Sequence, residues 1–352
     1  MKRIFIQFGT VLTIGLLAVY ACKPNVTNPG PNPDDKKEEE PYRRDAKWPD
    51  PEKDANWTKQ KVDKGIYYWF YYGNDPASSG DHQCVHIADI NLADGYKLNI
   101  AFDGSQITSN IFKKYNAYVA MNGAYEQKSI FVKTAKFPDP RAYIENDTIS
   151  SDDGAYQVPN WKNLGGLAIE ADGTSYIFNS YCGDKPPYGA RLKQQRDLYD
   201  KVLSDIPNLM SSSPLLIDEY EPLGLTFVPS DIPQAPTKYP YEHPYHHQGV
   251  RHPRTAIAFT SDNHILMIVA DGRRSGKASG FTAKELTQFL INNFDPVSAL
   301  NLDGGGSSTL CVREYGDKNT HVVNYPCDDG QWDHDGERSV TSHLYITNVF
   351  DK

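Results

Sequence analysis

Cysteine is scarce in this sequence: five residues in 352, none in the Cys-x-x-Cys spacing of a zinc ribbon or a dithiol redox centre. No segment repeats at a fixed period, so a repeat architecture is not indicated. Positive charge is not in excess. The formal net charge is −9, which argues against nucleic acid as a partner. Long apolar runs are confined to one place, residues 4–21, interrupted only by Gln7, Thr10 and Thr13.

That run follows Met1-Lys2-Arg3, and a basic start leading into an apolar stretch reads as an export signal. It ends in Val19-Tyr20-Ala21-Cys22, a small residue before a cysteine, similar to the bacterial lipobox in which the thiol is acylated and becomes the new N-terminus. Residues 1–22 are therefore expected to be a lipoprotein signal peptide. The alternative is a membrane-spanning helix, because the run approaches spanning length. The mature protein is then exported to the bacterial cell envelope, and its first partner is a membrane, through a lipid anchor at Cys22. Residues 23–64 are rich in Asn, Pro, Gly and charge. A stretch that buries so little apolar surface does not offset its ordering entropy, so a flexible tether is expected, with Trp48 and Trp57 loosely held or docked. The folded domain is expected to occupy 65–352.

Composition supports a sizeable core there: 39% of the chain is hydrophobic and 12% aromatic, enough for one large domain or two. Tyrosine outnumbers phenylalanine, 23 to 14, as half-buried strands favour; a flat ring with a hydroxyl also suits sugar contact. Strands are expected at 66–72, 84–90, 96–102, 115–121, 214–217, 254–259, 264–270, 299–302, 309–313, 320–324 and 340–346, with a hairpin through Asp172-Gly173. Helices are expected at 108–114, capped by Thr108 or Ser109, at 191–203, and after the capping box Thr282-Ala283-Lys284-Glu285. This is the pattern of an α+β fold with a mostly antiparallel sheet core and a few helices packed on it. With Cys22 acylated, Cys84, Cys182, Cys311 and Cys327 permit two disulfides, one joining Cys311 to Cys327 across a hairpin.

The informative chemistry lies between 251 and 338. The apolar strand Ala299–Leu302 ends in Asp303-Gly304-Gly305-Gly306-Ser307-Ser308. Three successive glycines let a ligand approach the main chain, and their amides form an anion nest. Ser307 and Ser308 add hydroxyls, and Asp303 projects from a strand end into the same crevice. Asp271-Gly272-Arg273 repeats the arrangement at the end of another strand, and Arg254 opens a third. Arginine suits two-point contact with phosphate. The alternative for either arginine is a surface ion pair. Further on lie Val323-Asn324-Tyr325-Pro326 and Gly336-Glu337-Arg338. His243, His246, His247 and His252 form a histidine-rich run that matches no helix-borne zinc motif, and no cofactor is called for; a divalent cation remains an alternative.

These pieces, in this order, resemble the phosphodiester glycosidase family. The Asn-Leu-Asp-Gly-Gly-Gly-Ser-Ser run at 301–308 is the most specific match. Ala120-Met121-Asn122-Gly123-Ala124-Tyr125 and Ser212-Ser213-Pro214-Leu215-Leu216 look like two further family segments, and the resemblance spans about Ser105 to Tyr345. Glu126 departs from it, standing where an aromatic residue is usual, and 226–248 looks like an insertion. The resemblance implies a hydrolase acting on a sugar phosphate or glycan substrate, cleaving the sugar from a phosphodiester. By position it makes Asn122, Arg254, Asp271, Arg273, Asp303, Gly304, Gly305, Gly306, Asn324 and Arg338 site candidates. The expected division of labour gives the phosphate to Arg254, Arg273 and the glycine amides, and acid/base work to Asp303 and Asp271. Two other readings stay open: a non-catalytic glycan-binding envelope lipoprotein, and a metal-dependent phosphodiesterase.

Overall fold

The computed structural model describes residues 44–125, 130–134, 148–150, 157–180 and 204–349. The signal segment with Cys22, the expected helix at 191–203, Cys182 and Glu126 all lie outside the described residues.

The largest sheet has seven strands in the spatial order β1 (Trp57–Asp63), β2 (Ile66–Asp75), β3 (Asp81–Asn91), β14 (His264–Ala270), β13 (Arg254–Phe259), β15 (Ser298–Asn301) and β12 (Leu215–Ile217). A four-stranded sheet runs β10 (Ser175–Asn179), β9 (Gly165–Ile169), β11 (Asn208–Ser212), β6 (Val132–Lys133). Another runs β16 (Leu310–Val312), β5 (Val119–Asn122), β17 (His343–Asn348), β4 (Tyr96–Ala101). Strands β7 (Thr148–Ser150) and β8 (Gln157–Pro159) form a separate pair. Every ladder among the described residues is antiparallel. The helices are few and short: α1 (Thr108–Lys114), α2 (Pro244–Gly249) and α3 (Ala283–Asn293). The protein is thus β-rich and mostly antiparallel, as the strand pattern implied.

Packing explains the order of the layers. Strand β14, His-Ile-Leu-Met-Ile-Val-Ala, is a continuous apolar run because both of its faces are covered. Ile265, Met267 and Val269 join Ile66, Leu98, Met121, Leu167, Ile257 and Leu300 in a core that the four-stranded sheets share. Leu266 and Ile268 face the other way, toward Leu286, Phe289 and Leu290 of α3. The capping box that starts α3 is present in full, with Thr282 Oγ1 accepting from the Glu285 amide and the Glu285 carboxylate accepting from the Thr282 amide.

The N-terminal expectation needs correction. From Arg44 the chain is folded, not a tether, and β1 pairs along β2. Trp57 is 3% exposed and stacks on Phe289, and Trp48 stacks on Trp69 with 6.1 Å between ring centres. The composition misleads because β1 is an edge strand with most of its side chains in solvent, so it shows no apolar alternation. Truncating a buried tryptophan such as Trp57 costs roughly 3–5 kcal/mol, far from loose attachment.

Three smaller corrections follow from local chemistry. Residues 320–324 form no strand, only the isolated bridge Cys311–Val322, because Asp317 turns the chain by accepting from the amides of Asn319 and Thr320. Neither Thr108 nor Ser109 caps α1; Glu337 does so from afar, its Oε2 accepting from the Ser109 amide at 2.9 Å. Cys84, Cys311 and Cys327 are free thiols. Cys311 is buried against Phe112, Ala117, Ala120 and Val322, while Cys327 lies beside Arg273, so the expected cross-strand disulfide does not form.

Candidate active site

Strand β15 ends in a loop whose three glycines are each closely approached, by backbone at Gly304 and by side chains at Gly305 and Gly306. A Cβ on Gly304 would stand 2.6 Å from the Pro253 carbonyl oxygen, a backbone atom that cannot step aside. Gly305 has φ +66, in the left-handed region, and its amide donates to Pro253 O at 2.9 Å. A Cβ on Gly306 would stand 1.8 Å from Asp328 Oδ1 and 2.4 Å from Arg338 Nη2. The loop is therefore wedged between the start of β13 and a charged rim. Asp303, at its head, is held by its main chain: its amide donates to Gly123 O, and its carbonyl accepts from Asn122 Nδ2 at 2.7 Å. Its carboxylate acts electrostatically on Arg338 and Tyr125.

Two guanidiniums flank this loop. Arg273, exposed and with φ 60, lies over Gly305; a Cβ there would be 3.1 Å from Arg273 Nη2. Its Nε donates to His252 Nδ1 at 3.4 Å, and among the described residues no carboxylate forms an ion pair with it. Arg338, on the Gly306 side, makes a two-point pair with Asp328 at 2.6 and 2.7 Å. That pair, aided by the field of Asp303, holds the Arg338 pKa above its usual value. Beside Arg273, His252 is kept neutral: burial, then the charges of Arg254 and Arg273, push its pKa down to about 3. Because Nδ1 accepts from Arg273, the remaining proton sits on Nε2, a buried atom with no hydrogen-bond partner.

Arg254 does not belong to that rim. It is 1% exposed, and its Nε, Nη1 and Nη2 donate to Phe281 O, Gln248 Oε1, His247 O and Val250 O at 2.8–2.9 Å. Burial lowers its pKa to about 10. Its donors are committed to protein acceptors, which contradicts the expectation that it grips a phosphate; it fixes the 247–250 segment against the start of α3 instead.

Asp271 is also interior. Oδ2 meets His86 Nε2 at 3.0 Å, while Oδ1 accepts from Asn324 Nδ2 at 3.1 Å and from the Tyr325 amide at 3.0 Å. Both oxygens are engaged in a group that is 1% exposed, so Asp271 is a positioning residue rather than the acid/base group expected from the sequence. Asn324 carries the chain of contacts onward, donating to Ser308 O and accepting from the Leu310 amide. Asn122 Oδ1 accepts from Thr255 Oγ1 and the Thr309 amide, and Thr255 Oγ1 also meets Ser308 Oγ at 3.1 Å. Asn122, Asn324, Ser307 and Ser308 are all buried to 1% or less, so they build the frame beneath the loop and do not face a ligand as expected. Gly305 and Gly306 are buried as well, and the Gly305 amide is committed to Pro253 O, so the groups left at the surface of this corner are Asp303, Gly304, Arg273 and Arg338.

Sequence reasoning missed His86, Tyr68, Gln248 and Asp328. His86 acts through Asp271, 185 residues away, and an isolated histidine in a strand gives no local signal; Gln248 and Asp328 meet arginines six and ten residues away, across turns that carry no period. His252 was noticed only as part of a histidine run. That run is not a metal cage: His243 Nδ1 caps α2, His246 Nδ1 meets Tyr239 O, and His247 Nδ1 meets Gln248. The metal-competent group among the described residues is Cys84, His86 and Asp271, whose ligand atoms lie within 4.8 Å of one another. Two surface hollows, one lined by Asn99, Tyr115 and Tyr345 and one by Phe112, Arg313 and His321, include no residue of the glycine loop.

Comparison with known proteins bears on the family and the fold. Residues 115–347 match the family model described as phosphodiester glycosidase. An 82-residue stretch is 34% identical to human N-acetylglucosamine-1-phosphodiester alpha-N-acetylglucosaminidase, covering 22% of this chain and 14% of that protein. A 92-residue stretch is 35% identical to the SPbeta prophage-derived uncharacterized protein YomE of Bacillus subtilis, covering 23% and 14%. The chain therefore spans about a seventh of the length of these relatives. The zebrafish N-acetylglucosamine-1-phosphodiester alpha-N-acetylglucosaminidase catalytic domain, auto-inhibited by its pro-peptide, shares the fold, with a TM-score of 0.52 at 19% identity over 83% of this chain and 86% of that one. With the family model covering most of the described fold, including both flanking arginines and the glycine loop, the chain belongs to the phosphodiester glycosidase family.

Proposed function

We propose that this protein hydrolyses the bond between the anomeric carbon of a sugar and the oxygen of a phosphodiester, outside the cytoplasm, while tethered to a membrane through a lipid on Cys22. The observation that carries the catalytic part is the placement of Asp303 at the head of a glycine loop flanked by Arg273 and Arg338. Family membership and the activity named for its vertebrate relatives support it.

The chemistry follows from the charges. Arg273, with no carboxylate partner among the described residues, offers a planar fork to phosphate oxygens. Arg338 adds a second positive charge, tempered by Asp328. As the glycosidic C–O bond breaks, negative charge grows on the departing phosphate, and donors fixed in place before the reaction stabilise it. Asp303 takes the proton from the water that adds to the anomeric carbon, so the products are a free reducing sugar and a phosphate monoester. The test is incubation of the purified protein with sugar-1-phosphodiesters of varied sugar, scored for free reducing sugar. Saturable release that Arg273→Met abolishes supports hydrolysis. Tight binding without release would favour a glycan-binding lipoprotein, and release of a sugar 1-phosphate would favour a phosphodiesterase.

A further inference from the structure

The seven-stranded sheet carries, at the end where β3 and β14 meet, a buried group that the proposed reaction does not use directly. Cys84 and His86 are two apart on β3 and share a face, and the Asp271 amide donates to Cys84 O just past β14. Their exposures are 0%, 1% and 1%. Cys84 Sγ lies 3.3 Å from His86 Nε2, and Asp271 Oδ2 lies 3.0 Å from the same nitrogen.

That convergence on one nitrogen separates two readings. A nucleophilic cysteine triad uses opposite nitrogens of the imidazole, one for the thiol and one for the carboxylate. Here both partners meet Nε2, while Nδ1 is occupied by Tyr68 OH at 2.7 Å. The arrangement is instead that of metal ligands, two of the three steadied by outer partners: Tyr68 on the far ring nitrogen of His86, and Asn324 and the Tyr325 amide on the far carboxylate oxygen of Asp271. Tetrahedral zinc with ordinary bond lengths requires separations of about 3.5 Å between S and N and about 3.4 Å between N and O. The observed 3.3 and 3.0 Å are reached by shifts of a few tenths of an ångström.

We propose that Cys84, His86 and Asp271 bind one divalent cation of the zinc class, chosen by the mixed sulfur, nitrogen and oxygen donor set. The site lies beneath the candidate active site: its three protein ligands are buried, and Asn324 connects it to Ser308 under the glycine loop. A water completes the fourth position. On binding, Cys84 loses its thiol proton to solvent. His86 stays neutral by carrying its proton on Nδ1, where the Tyr68 hydroxyl oxygen accepts it, so about one proton is released per cation.

The experiment uses the purified protein freed of metal by a chelator and titrated with Co²⁺. The site predicts one equivalent bound, visible d–d bands of tetrahedral intensity, and a near-ultraviolet thiolate-to-cobalt band. Zn²⁺ then displaces the cobalt and raises the unfolding midpoint. Cys84→Ser removes the thiolate band, and His86→Gln weakens binding at least tenfold. Should either variant fail to fold, the wild-type titration still decides. Absence of the thiolate band, or no stoichiometric uptake of Co²⁺ or Zn²⁺, overturns the proposal, as does a band that survives in folded Cys84→Ser.

Discussion

Replacing Arg254 with methionine should unfold the protein more than it disarms it. Methionine keeps much of the apolar stem and deletes the guanidinium. Four hydrogen bonds are lost: His247 O, Val250 O and Gln248 Oε1 lose the guanidinium as donor, while Phe281 O keeps the His252 amide. Each charge-assisted hydrogen bond contributes about 1.5–3 kcal/mol net, and the four do not add fully because they share one group. Leaving buried acceptors unpaired costs about 1–3 kcal/mol each, so a total of about 3–5 kcal/mol is the expected size here. At roughly 2–4 °C per kcal/mol for a large domain, the melting midpoint should fall by about 6–20 °C. Arg273→Met, by contrast, removes an exposed group and should leave the midpoint within about 2 °C, in the range of ordinary surface substitutions, while turnover collapses. Paired calorimetric melts and sugar-release rates on the two variants read this directly. An Arg254→Met protein with wild-type stability and no activity would refute the argument and return Arg254 to the phosphate.

Other perturbations test separate parts of the account. Asp303→Asn keeps the loop's main-chain bonds to Asn122 and Gly123 but removes the titrating group, so turnover should drop by about 10²–10⁴ with an unchanged melt; full activity would remove Asp303 from the mechanism. His343, 0% exposed in β17, has its pKa lowered by burial to about 4, against an ordinary 6.5. The unfolded chain therefore binds more protons between those values. The contribution is complete above pH 6.5 and is lost as pH falls toward 4, about 3 kcal/mol in all. His343→Leu should flatten the fall in melting temperature across that window, and an unaltered slope would show that other groups set it. Cys22→Ser should leave the membrane fraction or accumulate unprocessed, whereas normal processing with unchanged membrane association would exclude a lipid at Cys22.

What the sequence disclosed follows from how local each signal is. The 254–259 and 264–270 strands, the turn between them and the Thr282 capping box are written in consecutive residues, and all are present. The glycine loop was legible for the same reason. Strand β1 was not, because an edge strand with one inward tryptophan lacks any period. Within the site, residue type announced chemistry but not depth. Arg254 and Arg273 both stand at strand ends beside a turn, and only the packing of 247–250 and Phe281 shows that one is enclosed and the other open. Asp271 misled similarly, since its partner His86 is 185 residues away. The free thiols Cys311 and Cys327 show the limit of counting cysteines: an even number allows pairing, but the middle of one short strand and a loop beside Arg273 need not bring them together.

The most direct measurement is hydrolysis of a sugar-1-phosphodiester in water enriched in ¹⁸O, with both products analysed by mass spectrometry. Cleavage at the anomeric carbon, with Arg273 and Arg338 holding the departing phosphate and Asp303 activating water, places the heavy oxygen on the free sugar and leaves the phosphate monoester unlabelled. Label in the phosphate, or recovery of intact sugar 1-phosphate, would show that the P–O bond breaks instead and would contradict the account.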